Sequence, residues 1–288
     1  MLYQNLFIIL EILSGGVIKT KSIIPLLLLL ILGGMTMNAS AHALWVESKD
    51  IADVGDSQTV YFFYGHAGSV AGFSVPLMDA AYLLTPAGER IDLAMETGDW
   101  VPGYGWVPYG YSDVALSSSG DYVFAVARSP SVYDPGWGGT QPSNPRLGYS
   151  YATMVIHAGD EGMESWEAGV PLEIVPEKAP YEIKAKDDVT FKALWNGEPV
   201  NATFTAYYWT WDAHGGDAVQ TGPAGEDGQF TVSFTQAGPW QVMASVDINE
   251  PGKWTATYDH SAGRFKAGDE VDYNVVRYTN VMSVWVKA

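Results

Sequence analysis

Past residue 41, no stretch of this chain sustains a helical hydrophobic period for three turns; the apolar residues instead come in short alternating runs bounded by Gly, Pro, Asp and Ser. Thr59-Val60-Tyr61-Phe62-Phe63-Tyr64, Asp121 to Ala127 and Tyr151 to Ile156 are of this kind, rich in β-branched and aromatic residues. A period of two with turn residues at each end specifies half-buried strands, so the expectation is an all-β protein with sandwich packing.

The first residues do not belong to that pattern. Lys19 and Lys21 precede an unbroken apolar run from Ile23 to Leu32, followed by Gly33-Gly34 and a small-residue exit ending Ala39-Ser40-Ala41. The run is half of the roughly 20 residues that span a hydrocarbon core, so residues 1–41 read as a cleaved signal peptide, leaving no membrane span. Residues 1–18 are apolar with a single Glu11, which suits a start codon placed too early. Cleavage after Ala41 makes His42 the first residue, whereas Ala41-His42-Ala43 is a second possible exit that removes it. The expected location is periplasmic or otherwise exported.

Cysteine is absent, so there is no disulfide and no thiolate metal site; any metal must take nitrogen and oxygen ligands. Removing Lys19, Lys21 and Glu11 from 15 Lys+Arg and 33 Asp+Glu leaves 13 against 32, a charge of about −19. Such a surface repels phosphate backbones and anionic lipid, which argues against nucleic-acid and membrane-surface partners. It attracts cations, although acidity alone often serves only solubility.

The remaining 247 or so residues suffice for one large β domain or two small ones. Between Gly169 and Pro180, three prolines enclose one short strand, which reads as a stiff linker. The expected organisation is therefore a sandwich over 42–168, a Pro-rich linker strand over 169–180, and an immunoglobulin-like sandwich over 181–288. Within the last, Asp188–Trp195 and Val200–Trp209 flank an Asn196-Gly197 hairpin turn. Strands follow at Gly228–Phe234 and Gly238–Val246, and the last falls near Asn280–Val286. The segments WVPGYGWVPYGY and YDPGWGG, between Trp100 and Trp137, read as long ordered loops. Their exposed rings, Trp106 and Trp137 foremost, suit stacking on sugars or an interface; the plainer reading has them capping an open sandwich end.

Five histidines carry the remaining chemistry. An N-terminal His42 would offer an α-amine and an imidazole to one ion, with binding that weakens as acid protonates the amine. His66 shares parity with Val60, Phe62 and Tyr64 and is expected to stand free where Gly65 ends the pairing. His157 ends its strand, His214 lies in a loop with Asp212 and Asp217, and His260 follows Asp259; each reads more simply as a loop histidine than as a ligand. Together they offer the ligands that nickel, cobalt, copper or zinc accept. No nucleophile-and-base motif occurs, so no catalytic residue is assigned.

Ala41-His42-Ala43-Leu44-Trp45-Val46 and the strand ending Tyr64-Gly65-His66 resemble the start of bacterial proteins grouped as the periplasmic component of cobalt/nickel ABC-type transport, also labelled a domain of unknown function. Gly169-Val170-Pro171-Leu172-Glu173-Ile174-Val175-Pro176 is similar to that group's G-x-P-L-E-I-V-P. Asn196–Val200 resembles its G-K-P-L segment, and Gly225–Phe230 its D-x-x-G-x-F. The resemblance implies a two-domain β protein that binds a divalent transition metal, nickel or cobalt, and hands it to a membrane transporter component; the ligand types would also accept copper or zinc. It carries His42 and His66 across as the matching histidines; His157, His214 and His260 have no counterpart in it. Two other functions compete. One is a copper oxygenase with His42 and His66 as a histidine brace, and the other is a carbohydrate-binding or adhesive module working through the aromatic loops.

Overall fold

The computed structural model describes residues 42–66, 69–70, 77–101, 105–139, 141–163, 165–208 and 220–288. The expected leader, residues 1–41, and His214 lie outside the described residues. In chain order the strands are β1 (Ala43–Glu47), β2 (Ile51–Ala52), β3 (Ser57–His66), β4 (Ser69–Val70), β5 (Met78–Leu84), β6 (Arg90–Asp92) and β7 (Glu96–Val101). Next come β8 (Gly105–Ala115), β9 (Gly120–Tyr133), β10 (Arg146–Ala158), β11 (Leu172–Pro176), β12 (Asp188–Trp195), β13 (Glu198–Pro199) and β14 (Thr203–Tyr208). The series closes with β15 (Gln220–Pro223), β16 (Gln229–Ser233), β17 (Gly238–Ile248), β18 (Gly252–Thr255), β19 (Glu270–Tyr273) and β20 (Val275–Val286). The described helical turns are two 3-10 segments, Pro135–Gly138 and Pro180–Glu182, so the chain is all-β as its alternation requires. Among the described residues no helix is long and apolar enough to cross a membrane.

Alternation decides how the sheets stack. On β9, Tyr122, Phe124 and Val126 join one core while Val123, Ala125 and Ala127 join another. On β10, Ala152, Met154 and Ile156 go with the first set and Tyr151 and Val155 with the second. A strand buried on both faces reads as a nearly continuous apolar run, which is why both segments stand out in the sequence. Each fully buried Val or Phe here contributes about 1.5–3 kcal/mol by leaving water.

These strands belong to a central sheet of order β15-β14-β17-β20-β10-β9-β5-β6, with β2 beside β10. Against one face lies the sheet β1-β3-β8-β7, whose Leu44, Val46, Val60 and Phe62 meet Phe124 and Met154. Against the other lies β11-β12-β13 with β16, whose Leu172, Ile174 and Phe191 share a core with Val123 and Val155. Two β-sandwiches are thus present, and they share their middle sheet. The Pro-rich segment supplies β11, the strand that pairs with β12, and its Glu173 is buried and accepts the N–H groups of Ala168 and Val170 at 3.0 and 2.8 Å. Strands from before and after that segment meet in the seam between β10 and β20, a parallel pairing from Arg146↔Val275 to Met154↔Ser283. Residues Ala41–Ala288 form one compact unit.

Strand β1 is buried on both sides. Leu44 and Val46 face the first core, and Ala43 and Trp45 pack with Phe63, Tyr207 and Val281. The Asn196-Gly197 turn has φ of 50° and 85°, the left-handed pair that a tight hairpin needs.

The described residues of WVPGYGWVPYGY lie in a strand pair, where long loops were expected: β7 and β8 pair from Glu96↔Tyr111 to Val101↔Gly105, with Trp100 opposite Trp106. Pro108 is accommodated because β8 has left β3 by then, the last pair being Phe62↔Gly110, and because the ladder shifts register between Gly98 and Trp100. The YDPGWGG segment holds the Pro135–Gly138 turn, capped by Asp134.

Candidate functional site

The pairing of β1 with β3 runs from Glu47↔Tyr61 through Leu44↔Tyr64 to Ala43↔Gly65. Ala43↔Gly65 is the last pair of this ladder, and positions 42 and 66 are the next residues on the two strands. The two histidines matched by the resemblance therefore each follow the last pair of one ladder. His66 does not stand free of pairing as its glycine neighbours suggested. Gly65 pairs with Val70 of β4 as well as with Ala43, and His66 pairs with Ser69. Gly65 holds φ at 152°, which lets the strand continue around a bend that a side chain would resist.

His42 is exposed, and its ring meets the Tyr64 ring edge-on at 5.3 Å between centroids. Burial pushes the Tyr64 phenol above its ordinary value, with the Arg128 guanidinium pulling the other way, so the phenol stays neutral. That guanidinium lies over the Tyr64 ring at 4.6 Å, and its Nη2 donates to the Tyr258 hydroxyl at 3.2 Å. Its Nε is buried with no hydrogen-bond partner among the described residues. Aromatic faces hold this cation where a carboxylate would otherwise be expected.

His260 sits at the far side of the same aromatic group. Its ring contacts Trp137 at 5.3 Å and Phe265 at 5.0 Å, and its Nδ1 accepts the Ala262 N–H at 3.1 Å. Burial, then the charges of Arg264 and Arg128, lower its pKa, so the imidazole is neutral at neutral pH. Trp137 is held by the 3-10 turn and by Arg264, whose Nη2 donates to the Trp137 carbonyl at 3.2 Å. Burial alone would raise the Asp134 carboxyl, but hydrogen bonds from Ser143, Gly136 and Asn144 bring it below its ordinary value and fix the turn.

His157 lies elsewhere, at the end of β10. Its Nδ1 bonds Asp121 Oδ1 at 2.6 Å and its ring stacks on Tyr181 at 4.1 Å. Asp121 is 0 % exposed and also accepts from Trp166 Nε1 at 2.7 Å, Met163 N at 2.8 Å and Tyr181 Oη at 3.3 Å. Nothing local in the sequence marks Asp121, because its donors lie 36 to 60 residues away. The same carboxylate ties the segment after β10 to the sheet.

The structure thus sets positions 42 and 66 beside the last pair of the β1–β3 ladder, brings His260 together with Trp137, and holds His157 against Asp121 and Tyr181. Trp106 and Trp100 face each other across the β7–β8 hairpin with 78 % and 53 % of their surfaces exposed. Among the described residues no group of three or more His, Asp or Glu side chains is assembled to hold a metal ion.

Residues 39–248 match the family model described as a domain of unknown function (DUF4198). No curated protein matches the chain. Among solved structures, a marsupial T cell receptor is similar at 10 % identity over 83 % of this chain and 73 % of that one, with a TM-score of 0.20.

Proposed function

The chain belongs to the family of the domain of unknown function DUF4198, and on that footing we propose that it is an exported protein that binds one divalent transition metal ion at the end of the β1–β3 ladder and delivers it to a membrane uptake system. The observation that supports this reading is the register, whose last pair Ala43↔Gly65 is followed on the two strands by positions 42 and 66. The choice of nickel or cobalt rests on the resemblance of the His42 and His66 motifs to cobalt/nickel transport components. With two imidazoles in place, the ion needs a further ligand. After cleavage at Ala41 the His42 α-amine supplies it; before cleavage that nitrogen is a peptide amide and cannot. The net charge of −18 draws cations toward the surface, while the Arg128 guanidinium beyond Tyr64 opposes them locally.

Intact mass of the exported protein, followed by titration with nickel, cobalt, copper and zinc, tests this. The expected result is a chain that begins at His42 and binds one ion, which is released between pH 7 and pH 5 as amine and imidazole protonate. His42→Ala and His66→Ala each weaken binding at least 100-fold with an unchanged circular dichroism spectrum. A chain that begins at Leu44, or unaltered stoichiometry in His42→Ala, overturns the proposal.

The Trp100–Trp106 pair favours a second reading, a glycan-binding face, because two indoles this exposed on one hairpin are costly to leave in water without use. Trp106→Ala is expected to lower retention on a polysaccharide gel several-fold; equal retention removes this reading.

A further inference from the structure

A second site lies at the other end of the β1–β3 ladder from the histidines. The register sets Glu47 opposite Tyr61, on the face of β1 that also carries Trp45. That face opens onto a cleft of about 680 Å³, within the range typical of small-molecule sites, walled on its far side by Trp285 and Lys287 at the end of β20. The cleft is built and not incidental: Trp285 Nε1 donates to the Ser48 carbonyl at 2.8 Å, and Ser48 Oγ donates to the Thr59 carbonyl at 3.0 Å.

Its charges are unevenly satisfied. Lys287 is taken by Asp50, Nζ to Oδ2 at 2.5 Å, whereas Glu47 has one oxygen bonded to Trp45 Nε1 at 2.9 Å and no cationic partner among the described residues. A half-buried carboxylate with only a neutral donor is a poorly compensated charge, and an incoming cation would complete it. Tyr61, 37 % exposed, presents a ring beside it, as does Trp285, and aromatic faces attract cations.

We propose that this cleft binds a small organic cation, a protonated amine on an apolar or aromatic body, with Glu47 taking the ammonium group and Tyr61 and Trp285 flanking the body. A bare metal ion is a poor occupant, since Glu47 offers one carboxylate among aromatic walls and brings no second ligand. Burial drives the Glu47 carboxyl up to about 7, so its ionised fraction, and amine binding with it, grows through neutral pH. The other charged or titratable groups facing the cleft are Lys49, Asp50, Asp56, Tyr61 and Lys287; Asp50 and Lys287 neutralise one another, and Lys49 and Asp56 are exposed.

The test is calorimetric titration of benzylammonium into the full exported chain at pH 6, 7 and 8, with benzyl alcohol and benzoate as neutral and anionic counterparts. Affinity for benzylammonium is expected to rise about five- to ten-fold from pH 6 to pH 8, as a carboxyl titrating near 7 ionises. It is expected to fall at least ten-fold in Glu47→Gln, which keeps the acceptor for Trp45 and is checked for folding by circular dichroism. Tyr61→Ala should weaken it several-fold. The proposal is overturned by benzyl alcohol or benzoate binding as tightly as benzylammonium, by unchanged affinity in Glu47→Gln, or by no measurable binding of benzylammonium at tens of millimolar.

Discussion

Glu47 shows how far one side chain can depart from what its sequence neighbours suggest. It is the last residue of β1, and burial raises its carboxyl to about 7 from an ordinary 4.5 against the hydrogen bond from Trp45. The folded state therefore holds a proton between pH 4.5 and 7 that the unfolded chain gives up, and stability falls as pH rises through that window. Glu47→Gln removes the burden: thermal melts should show the variant about 1–3 kcal/mol more stable than the parent at pH 8 and little different at pH 4.5. Equal gains at both pH values would mean that the gain is not electrostatic. Trp285 lies 238 positions along the chain, so no local pattern could have exposed this environment. The left-handed Asn196-Gly197 turn was readable, by contrast, because it depends on immediate neighbours.

Among elements, those with clean alternation were legible and those loaded with turn residues were not. Asp188–Trp195 is a strand to the residue, and β9, β10, β17 and β20 each contain the run that announced them. The β7–β8 hairpin was hidden by its Gly and Pro, whose usual meaning is a loop; the edge position of β7 and a slipped register absorb them. Asp121 acts at this scale too, since four donors from β10, the segment after it and the Pro180–Glu182 turn converge on one buried carboxylate. Asp121→Ala orphans all four and should cost about 3–5 kcal/mol in urea denaturation, while hydrogen exchange speeds up first around Met163 and Trp166. A loss below 1 kcal/mol would show that water replaces the carboxylate.

At the scale of the whole molecule, two sandwiches were expected in tandem, and the finding that matters is the sheet they share. A parallel pairing between β10 and β20, with Val275 arriving 129 residues after Arg146, leaves no trace in any local window. If the shared sheet couples the halves, a fragment of residues 42–168 lacks both the β20 partner of β10 and the layer covering Val123, Ala125 and Val155. It should expose that apolar face and fail to fold, and the full exported chain should melt in a single calorimetric transition. Two separate transitions, or a well-dispersed NMR spectrum from the fragment, would show independent domains.

The same seam bears on synthesis. As the chain emerges from its N-terminus, β9 and β10 are complete by residue 158, but one edge of β10 stays open until β20 appears. An open, flat, apolar edge is a template for pairing with other chains. The central sheet therefore closes only once β20 is made, and a nascent chain stalled short of Val275 is an aggregation hazard that any cell making it must shield.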